Sequence, residues 1–319
     1  MVENRGAVAT QPRYAPRRRT STWARSRNLR AGLLFCSPWI LGILLFFAYP
    51  TIASLYYSLT EYDLLQSPTF IGLGNYQQMV QDPIIATSIG NTLYYAVIFI
   101  PLNIVLGILI ALLLNLKVGG MAVYRTAFYM PTLVPAVATS LLWLWVLNPQ
   151  YGIVNWFLSL IGIAGPGWLA SAQWSKPSII LISLWGGIGG AMLLYLATLQ
   201  DVRQDLIEAA LVDGANAWQR FFAVTLPALT PVIFFQLLTG LIGAIQYFTV
   251  PFVITGGTGN PVNSLMLFAV YLYNNAFFNF KMGYASAMAW SATIVVFVIT
   301  VIIFRTSSAW VYYGSGEAR

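Results

Sequence analysis

The chain has 319 residues, 58% of them hydrophobic and 8% charged, with a mean hydropathy of +0.72, values that exclude an ordinary soluble domain and indicate an integral membrane protein. Its net charge of +7 is no nucleic-acid signal, because eight of its sixteen basic residues are arginines before residue 31, where insertion topology and anionic headgroups account for them. A single cysteine (Cys36) and the absence of histidine exclude an intrachain disulfide, a cysteine metal cluster and a Ser-His-Asp arrangement, so no metal site or catalytic residue is expected.

Residues 1–30 mix Arg, Pro, Ser and Thr without apolar periodicity and read as a disordered basic tail. A helix crossing the hydrocarbon needs ~20 mostly apolar residues. Runs of that kind place six spans within 31–306, at about 32–57, 89–115, 125–147, 177–199, 227–254 and 283–304. After the third comes YGIVNWFLSLIGIAGPGWL, interrupted by Gly165, Pro166 and Gly167. It is too short to cross and reads as an interfacial or re-entrant helix. After the fifth comes VNSLMLFAVYLYNNAFFNF, whose asparagines 263, 274, 275 and 279 make it a surface-lying helix. Residues 307–319 form a second tail. The expected fold class is therefore all-α integral membrane, with both termini on one side.

Charge gives the side. Fourteen of the sixteen basic residues fall on the side of the tails, of Lys117 and Arg125 after the second span, and of 200–226, and only Lys176 and Lys281 fall opposite. The asymmetry places the termini and the loop between the fourth and fifth spans in the cytoplasm.

That loop, QDVRQDLIEAALVDGANAWQRFFAVTLPALTP from Gln200 to Pro231, is charged and amphipathic between two apolar runs. It reads as helix, sharp turn, helix. Asp201 is expected to cap the first helix, Gly214 to end it in the left-handed conformation, and Asp213 or Asn216 to cap the second. Trp218, Phe221, Phe222 and Thr225 share a face of that second helix, and Pro227 marks the start of the fifth span.

Glu208, Ala209, Ala210, Asp213, Gly214, Ala215, Phe221, Val224, Leu226 and Pro227 resemble, position for position, the EAA loop of ABC importer permeases. Trp218, Gln219, Thr225 and Pro231 make the likeness strongest to the carbohydrate branch, the maltose-type and glycerol-phosphate-type permeases. The opening LLFCSPWILGILLFFAYPTIASLYYSLTEYD and the closing LYNNAFFNFKMGYASAMAW resemble the same family. The resemblance implies a bacterial or archaeal inner-membrane subunit. Its partners would be a second permease, forming a heterodimer, two cytoplasmic ATPases, and a solute-binding protein delivering carbohydrate. Glu208, Ala209, Ala210, Asp213, Gly214 and Ala215 would then couple to the ATPase, Glu208 by accepting charge-assisted bonds and the alanines by permitting close approach.

The chain carries no energy source of its own. No span contains Asp or Glu, which argues against proton coupling. Each lysine follows Leu, Ser or Phe, so there is no P-loop. ATP and Mg are accordingly expected on the partner ATPase, with no cofactor and no enzymatic activity in this chain.

For the substrate path, Ser183, Trp185 and Tyr195 of the fourth span and Gln236, Gln246 and Tyr247 of the fifth offer the rings, hydroxyls and amides that sugars require. The resemblance points to Ser183, Gly186, Gly187, Gly190, Gly240, Gly243, Ala244 and Tyr247. So many glycines imply either a wide cavity for a bulky or elongated sugar or close helix packing. Two alternatives stand beside the carbohydrate importer: a permease for glycerol phosphate or another polyol, for which Lys176 and Lys281 are the only cationic contacts, and a stand-alone facilitator or scaffold.

Overall fold

A computed structural model describes residues 22–116 and 118–312, with the backbone alone for 22–30. Residues 1–21 of the expected first tail, 313–319 of the expected second tail, and Lys117 lie outside the described residues, while 307–312, expected to belong to the second tail, continue from the last helix, Met282–Ser307, with Val311 buried. The chain divides into two compact units, residues 1–53 and 54–319.

In the first unit α1, Thr22–Ile43, continues through a π-helical turn, Leu44–Ala48, into α2, Tyr49–Ser58. Residues 22–30, expected to belong to the tail, are helical and extend the first span backwards. The π turn has a local cause. Pro50 lacks an amide hydrogen, and in an α-helix its ring collides with the carbonyl of residue 46. Widening the turn, with the Tyr49 amide bonded to the Leu44 carbonyl, relieves that conflict.

The second unit opens with a two-residue antiparallel ladder, β1 (Thr60–Glu61) on β2 (Thr69–Phe70), and a short helix α3, Gly74–Gln81. Asn75 is buried here and donates to the Ser58 and Thr60 carbonyls at 2.9 and 2.8 Å. The second span, α4, runs Pro83–Leu114 and starts six residues earlier than expected. Its first turns contain Ser88, Asn91 and Thr92, which break the apolar run in sequence. They are buried because each is bonded, Asn91 to the carbonyls of Asn263 and Met266 and Thr92 to the Phe268 amide.

The third span departs from expectation most. Instead of one helix over 125–147 there are two, α5 (Met121–Tyr129, with a 3₁₀ turn to Leu133) and α6 (Ala136–Val146), bent by 99°. Pro135 removes a helical donor and forces Val134 into an extended conformation (ψ 127°), so the helix stops and restarts. The segment after it holds α7, Ile153–Leu160, eight residues and too short to cross. Then α8, Ala172–Gln200, forms the fourth span and packs along α4.

The elbow follows: α9 (Gln204–Val212), α10 (Ala217–Arg220), a second π turn (Phe221–Thr225) and α11 (Leu226–Ile245). Pro227 occupies the position after its π turn that Pro50 occupies after the first. The Leu226 amide likewise bonds five residues back, to Phe221. Pro227 therefore does not break the path, and 217–245 is one continuous helical rod. The fifth span is interrupted later, at 246–248, before α12, Thr249–Thr255.

The segment expected to lie on the surface contains α13, Phe268–Tyr273, and a π turn, Asn274–Phe278. Its middle is buried instead, from Ser264 to Phe268 and at Val270, Asn275 and Ala276, while Asn263 and Asn279 are exposed. Asn275 is 2% exposed and donates to the Tyr271 carbonyl, and Asn274 donates to the Gly257 carbonyl at 2.7 Å. The last span is α14, Met282–Ser307. Five of these stretches are long and apolar enough to cross a membrane, and the bent α5–α6 pair makes a possible sixth.

At the end of the bundle opposite the elbow, Asp82 caps α4 by accepting from the Ile84 amide and also accepts from the Tyr271 and Tyr284 hydroxyls at 2.6 and 2.8 Å. Burial acts to raise the Asp82 carboxyl, but these hydrogen bonds outweigh it and hold the group below the usual carboxylate range. Burial, reinforced by the carboxylate, pushes the Tyr271 phenol up to about 12. One ionised side chain thus ties α4, α13 and α14 together.

Candidate functional site

Two sites emerge, at opposite ends of the 217–245 rod. The first is the elbow. Asp201 does not cap α9 as expected; it closes the end of α8, its amide bonded to the Thr198 carbonyl. Arg203 stands at the N-cap of α9 with extended backbone and pairs with Asp205 in the first helical turn. That hydrogen bond raises the Arg203 guanidinium and lowers the Asp205 carboxyl. Gly214, with φ +78°, ends α9, and the Ala215 amide reaches back to the Ala210 carbonyl as in a Schellman turn. Asn216 caps α10 in a full capping box. Its carboxamide accepts from the Gln219 amide at 2.9 Å, and the Gln219 side chain accepts from the Asn216 amide at 2.8 Å. Arg220 donates to the Ala215 carbonyl at 2.6 Å, closing the elbow from behind.

The polar groups of the turn are therefore largely satisfied within it, while its apolar ones are not. Leu211, Val212, Trp218 and Phe222 are 51%, 88%, 73% and 59% exposed. Glu208, Ala209, Asp213 and Gly214 are exposed beside them, and Ala210 and Ala215 half-buried. Trp218 stacks on Phe222 at 6.3 Å, so the two rings form one surface.

The second site is a cavity of about 410 Å³ among α4, the α5–α6 break, α8, α11 and α12. Of the residues expected on the path, Ser183, Gly186, Gly240, Gly243, Gln236 and Tyr247 line it. Ser183 Oγ donates to the Ile179 carbonyl at 2.8 Å and lies 2.6 Å from the Tyr247 hydroxyl, which leaves both groups oriented. Tyr247 stacks almost parallel on Tyr95 at 4.3 Å, and Tyr95 on Phe99 at 5.1 Å, giving an aromatic wall.

Other expected residues lie elsewhere. Gly187 faces α4, where an added Cβ would stand 3.2 Å from the Asn103 carboxamide oxygen. Gln246 caps α11 and Tyr195 is fully buried in the core. Trp185 packs edge-on against Trp143 at 5.8 Å. Neither lysine lines the cavity: Lys176 donates to Asn91 at 3.1 Å and sits over the Tyr94 ring, and Lys281 precedes α14.

The glycine-rich stretches serve both readings of them. Gly186 and Gly243 have nothing within 4 Å of an added Cβ and border open space. At Gly189 a Cβ would lie 2.6 Å from the Phe128 carbonyl and 3.0 Å from the Tyr129 Cα, so that glycine lets α5 approach α8. Sequence reasoning missed Tyr95, Phe99, Pro131, Thr132 and Thr139 on the wall. Tyr95 and Phe99 carried a signal, an aromatic pair at i, i+4 in an apolar run.

Above the cavity, away from the elbow, Leu147, Ile182 and Val250 form a buried cluster with Trp143, Leu169 and Ile254 packed on it. Ile182 and Val250 line the cavity, while Leu147, Leu169 and Ile254 line a cleft on the far side. The cavity is closed at that end by apolar side chains.

A helical bundle with an exposed elbow at one end of a transmembrane rod and a neutral cavity beside the other is the architecture of a transport permease subunit. The chain belongs to the family of binding-protein-dependent transport system inner membrane components, whose family model matches residues 103–311. It is 41% identical over 300 residues to the probable ABC transporter permease protein YesP of Bacillus subtilis (strain 168), across 92% of this chain and 96% of that protein. Over 280 residues it is 35% identical to the lactose transport system permease protein LacF of Rhizobium radiobacter, across 86% and 92%. Its fold matches a chain of a bacterial alginate ABC transporter solved in complex with an alginate pentasaccharide-bound periplasmic protein (TM-score 0.79, 23% identity, 90% and 97% covered).

Proposed function

We propose that this chain forms half of the translocation path of an ATP-driven importer for a neutral di- or oligosaccharide. Its termini and elbow lie in the cytoplasm. A second permease completes the path, two ATPase subunits holding ATP and Mg dock on the elbows, and a solute-binding protein delivers the sugar opposite. The observation that carries this reading is the elbow itself: an internally satisfied turn presenting four uncovered apolar side chains and a free carboxylate at the foot of a transmembrane rod. Glu208 accepts charge-assisted bonds from the ATPase, and Leu211, Val212, Trp218 and Phe222 fill its groove.

Transmission follows from continuity. From Ala217 to Gln236 the helix rises 1.5 Å per residue, roughly 29 Å in all, without a break. A displacement of the elbow is therefore delivered to Gln236, Gly240 and Gly243 on the cavity wall. Inward-open and outward-open states are two arrangements of this rod against α8 and α6, biased by the nucleotide on the ATPase. Sugar is held by the Tyr95–Tyr247 stack, the Ser183 hydroxyl and the Gln236 amide. A neutral lining fits a neutral solute, as does the likeness to a lactose permease.

The test is affinity purification from native membranes, wild type beside Glu208→Ala, with identification of co-purifying proteins and assay of ATP turnover. The expected result is an ATPase and a second permease with the wild type. Loss of one charge-assisted contact, about 2 kcal/mol, weakens the ATPase roughly thirty-fold in the variant. Isolation of the chain alone in both samples, still moving sugar in liposomes, would replace this reading with a facilitator.

A further inference from the structure

A second cleft, of about 540 Å³, opens at the end of the bundle away from the elbow, between the end of α6, α7 and the loop that follows it. That volume lies within the ordinary range for small-molecule sites. Trp145, Tyr151 and Trp156 frame it and are 56%, 64% and 55% exposed, and Gln150 and Ser159 add an amide and a hydroxyl. No charged residue lines it.

The frame is built rather than loose. Asn155 donates to the Pro149 carbonyl at 3.0 Å and the Pro166 carbonyl at 3.3 Å, and its carboxamide oxygen accepts from Trp168 Nε1 at 2.6 Å. One side chain thus pins both ends of the segment that encloses the cleft. Gly152 and Gly165 close it further: an added Cβ would lie 2.4 Å from the Asn148 carbonyl at the first and 2.1 Å from Asn155 Oδ1 at the second. Thr139, on the cavity wall, and Trp145, on the cleft wall, belong to the same helix, about 9 Å apart along its axis. The apolar cluster of Leu147, Ile182 and Val250 stands between the cavity and a different cleft, the one lined by Leu147, Leu169 and Ile254.

We propose that this cleft is a second saccharide subsite, which holds a neutral sugar unit on its Trp and Tyr rings. The inference rests on the carbohydrate reading given above. Flat rings beside uncharged amide and hydroxyl groups suit the apolar faces and hydroxyl edges of a pyranose. Aromatic residues that merely sit at the membrane interface need no pinned frame around a cleft.

The experiment uses the intact transporter complex in lipid nanodiscs without its solute-binding protein. It is titrated with neutral di- to pentasaccharides of gluco, galacto and manno configuration, and binding is followed by calorimetry. The variants are Tyr151→Ala/Trp156→Ala, the ring-preserving Tyr151→Phe/Trp156→Phe, and Gly243→Leu, which fills the main cavity. Basal ATP hydrolysis and elution volume report folding. A cleft subsite predicts binding in wild type and Gly243→Leu, weakened roughly tenfold or more by loss of the two rings and retained by the Phe pair. Unchanged binding in the alanine pair, or no binding of a sugar that the complete system transports, overturns the subsite and leaves the importer standing. If no sugar in the panel is transported when the solute-binding protein is restored, the carbohydrate reading has failed and the subsite falls with it.

Discussion

The elbow and the cavity wall are two ends of one helical rod, and their side chains are disposed in opposite ways. At the elbow the polar groups bond to one another and the apolar ones are left out: Val212 is 88% exposed, while Asn216, Gln219 and Arg220 are all engaged within the turn. On the wall the apolar groups pack, and the polar ones, Ser183 and Tyr247, are held ready in a hollow kept open by glycine. A surface meant to be covered by protein keeps its apolar area free. A surface meant to be visited by a hydrated solute keeps its volume free. The same alanine and glycine content serves both, so composition alone does not separate them.

The sharpest way to break the contrast is to charge the elbow. Val212→Asp puts a carboxylate at the most exposed apolar position, where a docked partner would bury it without a counter-ion. A buried unpaired charge costs roughly 3–5 kcal/mol. The expected outcome is loss of the ATPase on purification, with the permease itself folded, since Val212 supports nothing inside the chain. A variant that retains its ATPase would remove Val212 from the interface.

Two glycines sharpen the wall in turn. Gly189→Leu drives a side chain into the backbone of α5, and overpacking of this kind costs roughly 1–3 kcal/mol or more. Gly243→Leu meets open space and fills part of the cavity. Thermal unfolding in detergent separates them: a lower Tm for Gly189→Leu, and an unchanged Tm with impaired sugar uptake for Gly243→Leu. Equal Tm losses would mean that Gly243 serves packing as well.

The elbow was the most legible part of the sequence, because its geometry is local. Gly214 and the cap of the second helix are set by neighbours within a few residues, and the structure realises both, with Asn216 rather than Asp213 as the cap. Even so, the cap assigned to Asp201 was misplaced, because α8 runs on to Gln200 and uses that residue to close its own last turn. The wall was less legible because it is assembled from distant pieces. Counting apolar residues made one span of 125–147, although Pro131 and Pro135 stood in it, and hydropathy does not register a missing amide hydrogen. The break they cause brings Thr132 and Thr139 to the cavity. Tyr95 is opposite Tyr247 only because α4 lies along α8 and beside α11, a contact that no window along the chain contains. Gly187 and Gly186 are adjacent in sequence and face different surfaces for the same reason.

The smallest expected effect tests whether the elbow is rigid before its partner arrives. Asn216→Ala removes one half of the capping box and leaves every exposed apolar side chain in place. Loss of an N-cap costs about 1 kcal/mol, too little to unfold a protein of several spans but enough to fray a four-residue helix. If the elbow is preorganised, this cost is paid on docking. ATPase affinity then falls roughly fivefold, while the exposed face is chemically unchanged. Hydrogen exchange of the isolated permease would show the amides of Ala217 to Arg220 exchanging faster in the variant. An elbow that orders only on contact would exchange fast in both proteins and lose no affinity, and the lever would then begin at the π turn rather than at Asn216.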